Sequence, residues 1–340
     1  MIYRSKAPLR IGLAGGGTDV SPYSDLHGGA ILNATISLYA YASIEPLEEG
    51  KIILHAHDRN EQLEYDRADR LPIDGKLDLL KGIYNRIQQD YGVNLPGFRL
   101  STFVDAPAGS GLGTSSTLVV AILGAFAEML RLPMGEYDLA HYAYEIERKD
   151  LQLAGGRQDQ YAATFGGVNF MEFYGDDKVI VNPLRIKQQY LFELENNLLL
   201  YYTSTSRESA EIIKKQSRNV TDKKDRSIEA MHQLKEQARL MKEALLKGKL
   251  HEIGHILYFG FQQKREMAEG ISNPLLEEIY ESACNAGATG GKISGAGGGG
   301  FMIFYCPGTT KYAVTEALRK FGGRHRRYQF VEHGLNSWTI

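Results

Sequence analysis

Gly109, Gly111 and Gly113 stand at alternate positions, and Thr114, Ser115 and Ser116 follow them directly. Glycine lets backbone N–H groups come close to a ligand. Successive N–H groups in a tight turn form a concave nest for an anion. A strand-like run, 98–104, leads in and a helical run, 118–130, leads out. A helix starting there points its free N–H groups and positive dipole end at the same place. Hydroxyls at a helix start cap it or hold a cation that accompanies phosphate. Any one of these features also fits a plain strand-to-helix turn. Together they read as a phosphate cradle made of Pro107, Ala108, Gly109, Ser110, Gly111, Leu112, Gly113, Thr114, Ser115 and Ser116.

Two familiar phosphate loops are excluded by spacing. A Walker A loop needs Gly, four residues, then Gly-Lys and Ser or Thr. The nearest match ends in Gly291-Lys292, but Ile293 follows and Ala286 occupies the first Gly position. A dinucleotide loop needs Gly-x-Gly-x-x-Gly. Counted from Gly109 and Gly111, its third glycine would fall at Thr114. Leu13-Ala14-Gly15-Gly16-Gly17 fails the same spacing, which removes an NAD-dependent oxidoreductase.

The elements that must carry this loop divide into two regions. Strand patterns cover 2–13, 29–44, 51–56 and 62–65, and helical spacing covers 77–91. The run 115–130 is apolar nearly all round and should be buried. Helices are expected over 137–147 and 160–165, and strands over 167–173 and 198–203. From Ser206 the composition turns rich in Lys, Glu and Leu. Helical periodicity over 208–215 and 223–270 predicts a bundle, since no strict heptad holds. Asn273 and Pro274 mark the start of a further helix. Lys292-Ile293-Ser294-Gly295-Ala296-Gly297-Gly298-Gly299-Gly300 runs into a strand over 301–305, where glycines signal close backbone approach. The reading is a mixed α+β protein with domains 1–205 and 206–340.

At 340 residues, with 43% hydrophobic and 24% charged residues and a net charge of −2, the chain reads as an ordinary globular protein. That balance argues against nucleic acid or an anionic membrane as partner. No apolar run reaches the ~18 residues of a membrane span, and the start lacks a signal-peptide core. Cys284 and Cys306 form neither a disulfide framework nor a metal cluster and fit a reducing cytoplasm. The basic run 324–327 reads as a solvated face.

Three glycine-rich stretches in this order resemble the GHMP kinase superfamily: 7–19, 107–116 and 292–300. The resemblance implies a ribosomal-protein-S5-like N-terminal domain and a ferredoxin-like C-terminal domain with added helices, with the site between them. It also implies ATP and Mg²⁺. Asp159 matches the family's catalytic aspartate, and Arg10 would stabilise charge beside it. Ser115 and Glu147 match its magnesium contacts. Gly16, Gly17, Thr18 and Asp19 would bind the acceptor, with Gly297 and Gly298 closing over it. On the residues alone, Asp159 is equally a helix cap, Asp19 a turn former, Arg10 a strand-edge residue and Glu147 an exposed ion-pair partner. Thr114 stands where the family often has Ser, and Arg10 where some branches have Lys. The Gly15-Gly16-Gly17-Thr18-Asp19 form resembles the heptose-phosphate kinase and fucokinase branch. That implies phosphorylation of an anomeric hydroxyl, with D-glycero-D-manno-heptose 7-phosphate as first acceptor and L-fucose second. Arg157, before the Gln158-Asp159-Gln160 run, is expected to grip the acceptor's phosphate, or else to pair with Asp150 or Glu147. A non-catalytic binding protein on the same fold would have lost Asp159, Glu147 or the cradle. The partner is then a small sugar or sugar phosphate, with a homodimer left open.

Overall fold

The structure, a computed structural model, describes residues 1–48, 50–91, 95–205 and 209–340. Its strands are β1 (Tyr3–Ala14), β2 (Gly29–Leu47), β3 (Lys51–Ala56), β4 (Glu61–Asp66), β5 (Gly97–Val104), β6 (Val168–Phe173), β7 (Val179–Pro183), β8 (Leu198–Tyr202), β9 (Gly290–Ile293), β10 (Phe301–Tyr305), β11 (Arg324–Arg326) and β12 (Asn336–Thr339). Its helices are α1 (Tyr23–His27), α2 (Asp78–Tyr91), α3 (Thr114–Leu130), α4 (Glu136–Glu145), α5 (Gln158–Phe165), α6 (Gln188–Asn197), α7 (Ser209–Thr221), α8 (Asp225–Lys247), α9 (Ile253–Met267), α10 (Pro274–Asn285) and α11 (Thr310–Leu318).

The first sheet runs β12-β1-β2-β5-β3-β4, with β6 and β7 attached through β2. The long strand β2 changes partner along its length: Gly29–Ala34 pair with β6 and Ala40–Leu47 with β5. Its register against β1 shifts between Pro8 and Arg10, where proline supplies no ladder donor. At that break the Arg10 amide donates to Leu112 O at 3.1 Å, so the glycine loop docks on β1 itself. Helix α3 lies under this sheet with Val119 to Leu123, Ala125 and Phe126 all buried, as its all-apolar pattern predicts.

The second sheet is antiparallel, in the order β11-β8-β10-β9. Side chains alternate across its pleat. Leu198, Leu200, Phe301 and Ile303 join the core of the first sheet. Leu199, Tyr201, Met302 and Phe304 pack against Phe261, Leu276, Ile279 and Val314 from α9, α10 and α11. Burial on both faces explains why β10 reads as five consecutive apolar residues. Asn273 Oδ1 caps α10 through Leu276 N at 3.1 Å, as its sequence signals.

The sheets divide the chain differently from a cut at 205/206. β8 lies before the cut yet pairs in the second sheet, and β12 lies after it yet completes the first. The composition change at Ser206 and the expected helix start at Glu208 fall outside the described residues. Cys306 is buried and Cys284 partly so, both as free thiols, and Arg324 to Arg326 are exposed. Among the described residues no helix is long and apolar enough to cross a membrane.

Candidate active site

The three glycine-rich stretches meet backbone to backbone. Gly111 sits at φ +83°, and a Cβ there would fall 2.5 Å from Ser294 O. Gly295, at φ +69°, would in turn place a Cβ 2.6 Å from Gly111 Cα. Ser294 Oγ and Arg10 Nη1 both donate to Gly111 O, at 2.8 and 2.6 Å, and Ser110 O accepts from Phe301 N at 2.9 Å. Gly111 is therefore required for the loop-to-loop contact, and its missing side chain does not open onto the cavity.

Around this junction lies a cavity of about 750 Å³. It is lined by Arg10, Gly17, Asp19, Ala108, Gly109, Gly111, Gly113, Thr114, Ser115, Ser116, Glu147 and Asp159 from the sequence-predicted set. Gly109, Gly111 and Gly113 all have positive φ, the alternation that aims amides into a nest. Gly113 precedes α3 and no side chain caps that helix, so the hydroxyls are not spent as caps. Ser115 is exposed, whereas Ser116 Oγ accepts from Gln160 Nε2 at 3.1 Å.

Asp159 lies in the first turn of α5 and faces Arg10 from β1. Nε donates to Oδ1 at 2.7 Å, and Nη2 lies 2.6 Å from the same oxygen. Arg10 is buried at 3% exposure, so it is not a strand-edge surface residue. The Asp159 carboxylate rests on Gly113, where a Cβ would come within 3.2 Å of Oδ2. It thus stands between the cradle and the rest of the cavity. Asp19 Oδ2 accepts from Gln158 N at 3.0 Å, and Gly156 admits it: a Cβ there would lie 1.9 Å from Oδ2. Burial, and then the neighbouring Asp159 charge, raise the Asp19 pKa, while Arg10 opposes the rise.

Glu147 sits on a wide π-helical turn, Ile146–Asp150, of the kind often found at functional sites. Arg86 pins both sides of that turn through Glu145 and Asp150, each at 2.9 Å. Glu147 is 1% exposed, not a surface ion-pair residue. Gln160 Nε2 donates to its Oε2 at 2.5 Å, while Oε1 has no hydrogen-bond partner among the described residues and lies 3.6 Å from Arg148 Nη1. A buried carboxylate oxygen without a donor, lining the same cavity as the exposed Ser115 at the start of α3, could hold a hard cation. Among the described residues no three acidic, His or Cys side chains are grouped so that they could hold a metal ion.

Several expected residues do not reach the cavity. The Arg157 guanidinium is buried and turned away: Nη1 donates to Tyr174 O at 2.9 Å, and Nη2 to Ser24 Oγ at 2.7 Å and Asp25 Oδ1 at 2.5 Å. It ties α1 to the end of β6 instead of gripping a ligand, and it pairs with neither Asp150 nor Glu147. Gly297 and Gly298 pack on Ile271, with Gly298 N donating to Ile271 O at 2.8 Å; Gly295 and Ala296 line the cavity in their place. Thr18 bonds inward to Gly15 O and Ala30 O, at 2.9 and 3.0 Å. None of Pro107, Ser110, Leu112 and Gly16 lines the cavity directly; Pro107 is exposed, and Gly16 is half-buried beside the Lys264 ammonium, which does line it.

Sequence reasoning missed Arg148, Gln158, Gln160, Gln216 and Lys264. Gln158 and Gln160 flank Asp159 and were legible as a triplet. Arg148 Nε braces Gly156 O at 3.2 Å, and Gln216 Nε2 holds Gly17 O at 2.7 Å. Lys264 lines the cavity from α9, where nothing separates it from its lysine-rich surroundings. Burial lowers its pKa to about 8, Asp19 pulling upward and Arg10 downward. Lys292, from β9, is pushed well down by burial, then by Lys264 and Arg10.

Comparison with known proteins agrees with this geometry. Residues 78–167 match the GHMP kinases N terminal domain and residues 241–324 the GHMP kinases C terminal domain. The chain is 50% identical over 337 residues to the D-glycero-alpha-D-manno-heptose 7-phosphate kinase of Campylobacter jejuni, covering 99% of each. A crystal structure described as a D-glycero-D-manno-heptose 1-phosphate kinase from Bacteroides thetaiotaomicron superposes with a TM-score of 0.84 at 47% identity, over 99% of both chains. A putative sugar kinase from Campylobacter jejuni gives 0.83 at 48% identity, over 100% of this chain and 98% of that one. Full-length likeness at this level, with the three glycine-rich stretches assembled around one cavity, places the chain in the GHMP kinase family of ATP-dependent phosphotransferases.

Proposed function

We propose that this protein transfers the γ-phosphoryl group of ATP to the anomeric hydroxyl of a heptose phosphate. The acceptor is D-glycero-D-manno-heptose 7-phosphate and the product its 1,7-bisphosphate, made for nucleotide activation of the sugar. The observation that carries the reading is Asp159, held by Arg10 and set against Gly113 where the cradle meets the wider cavity. A hydroxyl lying on Asp159 would face a phosphate in the cradle, and positioning of that kind supplies most of phosphoryl-transfer catalysis.

Asp159 receives or aligns the hydroxyl proton, and Arg10 balances charge on the oxygen as it attacks. Backbone amides of the cradle and the start of α3 hold the triphosphate. Ser115 and Glu147 would hold Mg²⁺, with Gln160 fixing the Glu147 carboxylate. When bound, Mg²⁺ neutralises charge on the phosphate oxygens. Asp19 binds hydroxyls of the sugar. The domains 1–205 and 206–340 supply the cradle and the opposite wall, respectively, with β8 and β12 exchanged between them.

The choice of sugar rests on the 50% identical relative named for heptose 7-phosphate. The solved relative's name instead mentions heptose 1-phosphate. A coupled ADP-release screen with Mg·ATP against heptose 7-phosphate, heptose 1-phosphate, free heptose and L-fucose distinguishes them. Product carrying phosphate at C1 and C7 from heptose 7-phosphate alone is expected. Comparable kcat/KM for L-fucose would overturn the proposal and favour a fucokinase.

A further inference from the structure

With Arg157 turned away, the group that meets an acceptor phosphate must be sought elsewhere in the cavity. Lys264 is 3% exposed, and its Nζ donates to Gly295 O at 2.5 Å. An ammonium carries three donors, and no further hydrogen bond engages this one among the described residues. Lys292, also 3% exposed, donates to Gly12 O at 2.9 Å. Both ammonium groups converge on Gly16: a Cβ there would lie 3.6 Å from Lys264 Nζ and 3.9 Å from Lys292 Nζ. Gly16 does not have the left-handed backbone that demands glycine, unlike Gly15 and Gly17. Its bare Cα leaves room beside two like charges.

The charges at this end do not balance. Arg10 is matched to Asp159 and Lys264 feels Asp19, while Lys292 adds a further buried amine beside the like charges of Lys264 and Arg10. A buried positive charge without a partner is costly, and an anion removes that cost. Lys264 lines the same cavity as Asp19 and Asp159, and Gly295, which accepts its hydrogen bond, packs on Gly111 of the cradle. A sugar whose hydroxyl lies on Asp159 and whose ring lies along Asp19 would come up to Lys264, which feels the Asp19 charge.

We infer that Lys264, backed by Lys292 and given room by Gly16, binds the phosphate the acceptor already carries and selects a sugar phosphate over a free sugar. The inference rests on the reading of the acceptor as a heptose phosphate.

The test is steady-state kinetics of Lys264→Met and Gly16→Ala with heptose 7-phosphate and with unphosphorylated heptose, each variant checked for Tm. In Lys264→Met, KM for heptose 7-phosphate should rise by about tenfold or more, while KM for ATP moves little. The preference for the phosphorylated sugar should narrow by a similar factor. Gly16→Ala makes only ordinary van der Waals contacts and should raise the same KM at an unchanged Tm. Equal losses on both sugars, or an unchanged KM for heptose 7-phosphate, overturn the inference; if Lys264→Met does not fold, Gly16→Ala decides. Should the wild type reject heptose 7-phosphate, the acceptor reading fails, and calorimetric titration with inorganic phosphate still tests the site. Binding that Gly16→Ala weakens supports the anion site, and no binding, or equal binding by both proteins, overturns it.

Discussion

Replacing Asp159 by Asn isolates charge from shape at the centre of the cavity. Asn keeps an Oδ1 that can accept from Arg10 Nε, now 2.7 Å from the carboxylate, so the loop geometry should persist. Both charge-assisted contacts, from Nε and Nη2, become neutral beside an arginine that is 3% exposed, a loss of about 2–3 kcal/mol of stability. The effect on rate should be larger. Loss of proton acceptance typically lowers turnover by about 10²–10⁴, or roughly 3–5 kcal/mol in the barrier. Nucleotide affinity should move the other way. The carboxylate rests on Gly113, at the start of α3, and repels a triphosphate bound there. Its neutralisation should leave Mg·ATP affinity unchanged or slightly tighter. Coupled ADP release gives kcat, calorimetric titration gives ATP affinity, and a thermal scan gives stability. Turnover close to wild type would remove Asp159 from the chemistry. A fall in ATP affinity as large as the fall in kcat would show instead that the Arg10–Asp159 pair merely shapes the cradle.

Gly111→Val should lower Tm together with ATP affinity, because its Cβ collides with Ser294 O at a backbone angle that favours glycine. A folded variant with wild-type Tm would contradict the loop-to-loop contact. Ser115→Ala should raise the Mg²⁺ concentration needed for half-maximal activity with little change in Tm, as Ser115 is exposed; an unaltered Mg²⁺ dependence argues against its role. Arg157→Leu should cost about 2–3 kcal/mol of stability, since Asp25, 40% exposed, can partly rehydrate. KM for the acceptor should stay near wild type in the folded fraction, and a selective rise would return Arg157 to the substrate. Lys264 carries its charge below about pH 8 and loses it above. Acceptor affinity should therefore weaken as pH rises through about 8, and Lys264→Met should flatten that limb of the kcat/KM profile.

Much of the site is legible in the amino-acid sequence itself. Alternating glycines at 109–113 can only mean repeated positive φ or close backbone approach, and both occur. The all-apolar run of α3 requires burial on every side, and β10 likewise. Asp159, Glu147 and Arg10 have bland readings on local sequence, and the order of three glycine motifs is what marks them. Local pattern carries this information because backbone angle and side-chain period are properties of neighbouring residues.

What tertiary structure alone decided depends on residues far apart in the chain. Arg157 sits two positions from Asp159, but α5 starts between them and turns its guanidinium towards Ser24 and Asp25. Lys264 looks like any lysine of an amphipathic helix until β9 and the first glycine turn close over it. The exchange of β8 and β12 across residue 205 has the same cause. β8 is apolar on both faces because the layer of α9, α10 and α11 claims one and the first sheet's core the other, and β12 returns to pair with β1. Direction, burial and charge balance are set by which distant backbone arrives opposite, and no single stretch of sequence contains that.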